Sequence, residues 1–223
     1  LESPLLEGEE VCITYGLHDN ATLLTEYGFV LPHHVGEDDQ QIQANQWLGN
    51  PHAGVWLDEA VEHMVQSQGE AGAWKRSLLQ QAGYWGDYTM HPCPAPAHPS
   101  HRLHTALRLL CMDVDFHAQE RGGLHARLSN KPRKPYAYTA QDAERVWRLV
   151  MQGRREQVSP SNEQSVRDKV IALCDDITRG HATRLHRLKG VDHVSASMVR
   201  ALLEEECHIA SLVKASAERA DPW

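Results

Sequence analysis

The chain has no CxxC pair, no glycine-rich phosphate loop of the GxGxxG or Walker type, and no nucleophile triad. It has no apolar run near the roughly 20 residues needed to span a bilayer, and no signal peptide is visible. Its five cysteines, Cys12, Cys93, Cys111, Cys174 and Cys207, are odd in number and scattered, and three of them sit in apolar helical patterns. That distribution excludes a disulfide framework and reads as reduced thiols in an intracellular protein, in nucleus or cytoplasm. Cations are in short supply, with 22 Lys and Arg against 30 Asp and Glu and a formal net charge of -8. Phosphate contacts need Lys and Arg, so nucleic acid is excluded as the expected partner. An acidic balance is compatible with basic protein substrates.

What is present is an ordinary globular composition, 41% apolar and 23% charged over 223 residues, which excludes global disorder. The length suits one domain, or a small piece of one domain joined to a complete second one. Leu1 stands where an initiator Met would, and a strand follows almost at once, so the N-terminus reads as a cut.

Residues 10–14 are short and β-branched and read as a strand ending at Tyr15-Gly16, with Gly8 suited to a tight turn before it. Asp19 or Asn20 can cap the short helix that follows, on which Leu23, Leu24 and Tyr27 lie near one face and which Gly28 ends. Phe29-Val30-Leu31 reads as extended and is closed by Pro32. After a polar, ambiguous stretch the character becomes helical. Leu57, Val61, Met64 and Val65 recur at helical spacing, as do Trp74, Leu78, Leu79 and Ala82 before Gly83. Residues 91–99 carry four prolines and exclude a helix interior. Pro99-Ser100 opens a helix through Leu103, Leu107, Leu110, Cys111 and Val114. Arg121-Gly122-Gly123 and Lys131-Pro132-Arg133-Lys134-Pro135 bound a loop region. Thr139-Ala140-Gln141-Asp142 resembles a capping box with an acid at its fourth position, leading into Ala143, Val146, Trp147 and Val150. Ser159-Pro160 starts a helix with Val166, Val170, Ile171, Cys174 and Ile177 as its stripe. The last helix carries Val194, Met198, Leu202, Leu203, Ile209, Leu212 and Val213. The fold class is mainly α: a small α+β piece at 1–36, a linker at 37–55, and a helical domain at 56–223.

One long unit carries more than pattern. It reads Glu7-Gly8-Glu9-Glu10-Val11-Cys12-Ile13-Thr14-Tyr15-Gly16-Leu17-His18-Asp19-Asn20, then Leu23-Leu24 and Glu26-Tyr27-Gly28-Phe29-Val30. It resembles the C-terminal end of SET domains in the group containing the plant Rubisco large-subunit lysine methyltransferases. Gly86-Asp87-Tyr88-Thr89, Pro99-Ser100-His101-Arg102-Leu103 and Ala106-Leu107-Arg108-Leu109-Leu110 resemble, in order, the start of the helical domain that follows. The resemblance implies a protein-lysine methyltransferase using S-adenosylmethionine, with the helical domain holding a protein substrate. It implies a catalytic role for Tyr15, whose phenol points at the reacting amine and the sulfonium methyl and so also borders the cofactor. A phenol suits that place because it is polar, rigid and un-ionised at neutral pH. It implies that Tyr27 lines the channel for the target lysine and that Phe29 lines the same region. Asn20 reads as a cap, not a catalytic group.

The departures narrow this. The glycine-containing strand and the Asn-His segment through which SET domains bind S-adenosylmethionine precede Glu7 in the family's order and are absent from this sequence. The chain is therefore expected to need the rest of a longer parent for cofactor binding and turnover. One member type of the group methylates a histidine instead of a lysine, and a SET-derived module that binds a protein without chemistry is a further reading. His91, Cys93, His98, His101 and His104 lie close in sequence, but their spacing matches no closed zinc pattern, and no metal is expected. The basic loop at Lys131 to Lys134 has three charges in an acidic chain and reads as solvated.

Overall fold

The computed structural model describes residues 16–32, 47–116 and 138–223. The strand expected at 10–14, Tyr15, and the loops around Gly122 and Lys131 lie outside them.

The first helix begins where capping chemistry allows. Asp19 is the N-cap, its Oδ1 accepting from Thr22 N at 2.7 Å. Helix α1 (Asn20–Thr22) widens into a π-turn (Leu23–Tyr27) that Gly28 closes at φ 78°, a conformation a Cβ would disfavour. Phe29, Val30 and Leu31 join no strand among the described residues.

Helices α2 (Asp58–Gln66) and α3 (Gly69–Gln81) pack through Val61, Val65, Leu78 and Leu79. They meet closely at Gly72, where an added Cβ would come within 1.9 Å of Val65 O. Lys75 is buried on α3, its ammonium donating to Gln68 Oε1, Leu110 O and Met112 O at 2.8, 2.9 and 2.7 Å. All three of its donors are used, and burial lowers its pKa to about 8. Those carbonyls end helix α4 (His101–Leu110), which Ser100 caps at Leu103 N. Leu103, Ala106, Leu107 and Leu109 of α4 are fully buried.

A small sheet is the part that periodicity does not announce. Strands β1 (Val55–Trp56), β2 (Thr89–His91) and β3 (His98–Pro99) form an antiparallel sheet in that order, with Val55 opposite Met90 and Met90 opposite Pro99. Strands this short give no alternation to read. The proline-rich stretch is the connection between β2 and β3. Strands β4 (Val114–Asp115) and β5 (Tyr138–Thr139) make a parallel pair, so Val114 is a strand residue, not the end of α4.

Helix α5 (Ala140–Met151) starts at the expected capping box: Thr139 Oγ1 accepts from Asp142 N and donates to Asp142 Oδ2. Ala143, Val146, Trp147 and Val150 are buried, and Trp147 Nε1 donates to Thr105 O at 3.0 Å. Helices α6 (Pro160–Arg187), capped by Ser159, and α7 (Val194–Glu218) run about 42 and 38 Å as an antiparallel hairpin. Arg167 to Asp221 O, Lys214 to Asp175 and His181 to Glu206 mark its register. Val166, Val170, Cys174, Ile209 and Val213 face inward. Val194 does not: it is 72% exposed, because it opens α7 at the tip of the hairpin. No described helix is long and apolar enough to cross a membrane.

Candidate functional site

The segment that carries Tyr27 and Phe29 is gripped at three consecutive residues. Asn50, buried, donates from Nδ2 to His18 O at 2.8 Å. Trp56, on β1, donates from Nε1 to Asp19 Oδ2 at 2.7 Å, so the N-cap carboxylate serves the helix with one oxygen and the sheet with the other. Asn20 reaches furthest. Its Nδ2 donates to Leu31 O at 2.9 Å and to Glu205 Oε1 at 3.0 Å, and its Oδ1 accepts from Leu31 N at 2.8 Å. Asn20 is thus buried tertiary structure, and the capping role expected of it belongs to Asp19. Both residue types cap well, so local chemistry alone does not choose between them.

Glu205 is 1% exposed in the middle of α7. Burial raises its carboxyl pKa to about 7, the neighbouring carboxylates of Glu206 and Asp19 adding to the rise while the Asn20 amide opposes it. The sequence holds a sign of it. Glu205 falls on the helical stripe with Leu202, Ile209 and Val213, where an apolar residue is expected.

Between the gripped ends, Tyr27 stands 45% exposed, its ring 6.0 Å from that of His18, and Phe29 is half-buried. Tyr15 lies outside the described residues, so its distance to these two rings is undefined. Beside the grip, a groove of about 400 Å³ runs between β1, α2 and the α6–α7 hairpin. Trp56, Glu59, Asp176, His181, Arg184 and Glu206 are among the residues that line it, and Glu206 pairs there with His181 Nε2. Of its carboxylates, Glu206 pairs with His181 and Asp176 with Arg179, so the lining carries both signs of charge. The described residues supply no nucleoside-shaped cleft with convergent polar groups beside Tyr27, so on their own they do not fit S-adenosylmethionine.

The histidines near the proline stretch take separate hydrogen-bond and ring partners, although the His91 and His98 rings lie 6.1 Å apart. His91 Nε2 meets Thr89 Oγ1 at 2.8 Å, His98 Nδ1 meets Pro96 O at 2.9 Å, and His101 stacks edgewise on Tyr84. His104 is buried, with Nε2 3.4 Å from Glu163 Oε2. Among the described residues no three His, Cys, Asp or Glu gather as a metal site.

No protein-family model matches the chain, and no solved structure matches it. Three curated proteins do. The ribosomal lysine N-methyltransferase set11 of Schizosaccharomyces pombe is 34% identical over 83 residues, 37% of this chain and 16% of that protein. SET domain-containing protein 4 of Homo sapiens is 36% identical over 108 residues, 48% of this chain and 20% of that protein. SET domain-containing protein 4 of Mus musculus is 27% identical over 218 residues, 94% of this chain and 38% of that protein. The chain is therefore related, at modest identity, to SET-domain methyltransferases. It spans less than two fifths of the length of each relative it matches.

Proposed function

We propose, from this kinship, that the chain is the C-terminal part of an S-adenosylmethionine-dependent protein-lysine methyltransferase of the SET type. Residues 1–36 are the end of the SET domain, and residues 56–223 are a helical domain that holds the protein substrate. The observation that carries the reading is the ordered match of Tyr15-Gly16, Asn20 and Tyr27-Gly28-Phe29 to the end of a SET domain. The grip of the following domain on His18, Asp19 and Asn20 supports it, because a channel residue needs a rigid mount.

When bound, S-adenosylmethionine would supply the electrophilic methyl, and parts of a longer parent protein would supply its pocket. Tyr15 orients the neutral amine for in-line attack, and Tyr27 and Phe29 line its approach. The free thiols of Cys93, Cys111, Cys174 and Cys207 suit an intracellular site of action, in nucleus or cytoplasm. In the full-length protein, Tyr15→Phe should lower the methyl-transfer rate by about 10²-fold or more, the size of losing one preorganised polar group at a reacting centre. Its melting temperature should not change. An undiminished rate on a lysine peptide array would remove Tyr15 from catalysis and the reading with it.

A further inference from the structure

We propose that Glu205 and Asn20 are positioning residues for the lysine channel: from α7, Glu205 orients the Asn20 amide that ties the two ends of the Tyr27 loop together. The inference rests on the methyltransferase reading for its functional half and on geometry for the rest.

The loop from Asn20 to Leu31 contains the π-turn, Gly28 and Phe29. Its far end belongs to no strand among the described residues, and Leu31 is 41% exposed. Burial of the Leu31 side chain therefore does not hold that end down. What closes the loop is the Asn20 side chain, which offers Leu31 one acceptor and one donor, as a neighbouring strand would. The second donor of the same amide goes to Glu205. The Glu205 oxygen that meets Nδ2 accepts this bond, so it favours the donor edge of the amide. With Nδ2 held by Glu205, a flipped amide would set Oδ1 against two acceptors at once. Leu31 and Glu205 thus favour the same amide orientation, and Glu205 reinforces the one that bonds both Leu31 groups.

The choice of residue argues for more than packing. A carboxyl on an apolar helix stripe is costly to bury, and no cation pairs with Glu205 among the described residues. The charged groups nearest it are the carboxylates of Asp19, from the loop itself, and of Glu206, from its own helix. A leucine there would pack at lower cost but would leave one buried Asn20 Nδ2 hydrogen without its acceptor. Beside the bonds of Asn50 and Trp56 to His18 and Asp19, this arrangement ties α7 to both ends of the loop carrying Tyr27 through one amide plane.

Amide hydrogen exchange on this chain tests the clamp. Glu205→Ala should speed exchange at the Leu31 amide about tenfold or more, as expected for losing a buried acceptor of this kind, while Leu107 in α4 and Cys111 just after it keep their protection. Glu205→Gln keeps an acceptor oxygen and should restore the Leu31 rate. If Glu205→Ala does not fold, Glu205→Leu fills the same volume and should give the same local loosening. Unaltered exchange at Leu31 in the folded variant overturns the clamp. In the full-length protein, Glu205→Ala should lower kcat about tenfold, with recovery in Glu205→Gln. Faster exchange at Leu31 with an unaltered kcat overturns the positioning role. Tyr15→Phe in the same protein reports separately on the methyltransferase reading, so the two failures are distinct.

Discussion

Replacing Glu205 by glutamine should flatten the dependence of stability on pH. The carboxyl is 1% exposed and accepts a hydrogen bond from Asn20 Nδ2 at 3.0 Å, which a glutamine Oε1 can keep. In the folded chain its pKa is raised from 4.5 to about 7, chiefly by burial. Below pH 4.5 the folded and unfolded chains both hold the proton, and the group is neutral to stability. As the pH rises from there, the unfolded chain releases its proton first. The folded state therefore loses relative stability until about pH 7, where Glu205 itself ionises and the loss levels off. The difference in pKa corresponds to about 3 kcal/mol at pH 8. Glutamine has no proton to lose. Urea unfolding of the wild type and Glu205→Gln between pH 4 and 8 should show the variant gaining about 3 kcal/mol on the wild type across that range. Other acids titrate in both proteins and cancel in the difference. Two curves that stay parallel would show that Glu205 is not held in a desolvated site, and the account of the junction would fail.

Other outcomes follow from the packing. Leu107→Ala should cost about 2–5 kcal/mol, because the side chain is fully buried in α4, and a negligible fall in melting temperature would mean the α4 stripe is misplaced. Gly72→Ala should destabilise by about 1–3 kcal/mol, since its Cβ would meet the backbone oxygen of Val65; a wild-type melting curve would refute that close approach. Ser159→Ala should cost about 1 kcal/mol through loss of the bond to Asn162 N, read as faster amide exchange in the first turn of α6.

Most helices were legible because their signals are local. Ser100, Thr139 and Ser159 each cap the helix that sequence places after them, and the stripes through Leu107, Trp147 and Val170 are buried as their spacing implies. The small sheet was not legible, because strands of two or three residues carry no period. Val194 is in the last helix, as its spacing implies, but its exposure was not legible for a related reason. Periodicity shows which face a residue shares but not where the facing helix begins, and at the hairpin tip nothing covers it.

At the site the division is sharper. By itself the sequence determined the kinship with SET-domain proteins, the capped helix with its Gly28 stop, and the candidates Tyr15, Tyr27 and Phe29, because these are set by residue type and order along 24 positions. Only the tertiary structure decided what holds that segment. Asn20 could equally have been a cap, and Glu205 could equally have been one more surface acid in a run of three. Their hydrogen bond joins residues 185 apart, and neither the burial that raises the Glu205 pKa nor the amide that meets it exists until α7 is packed against the junction.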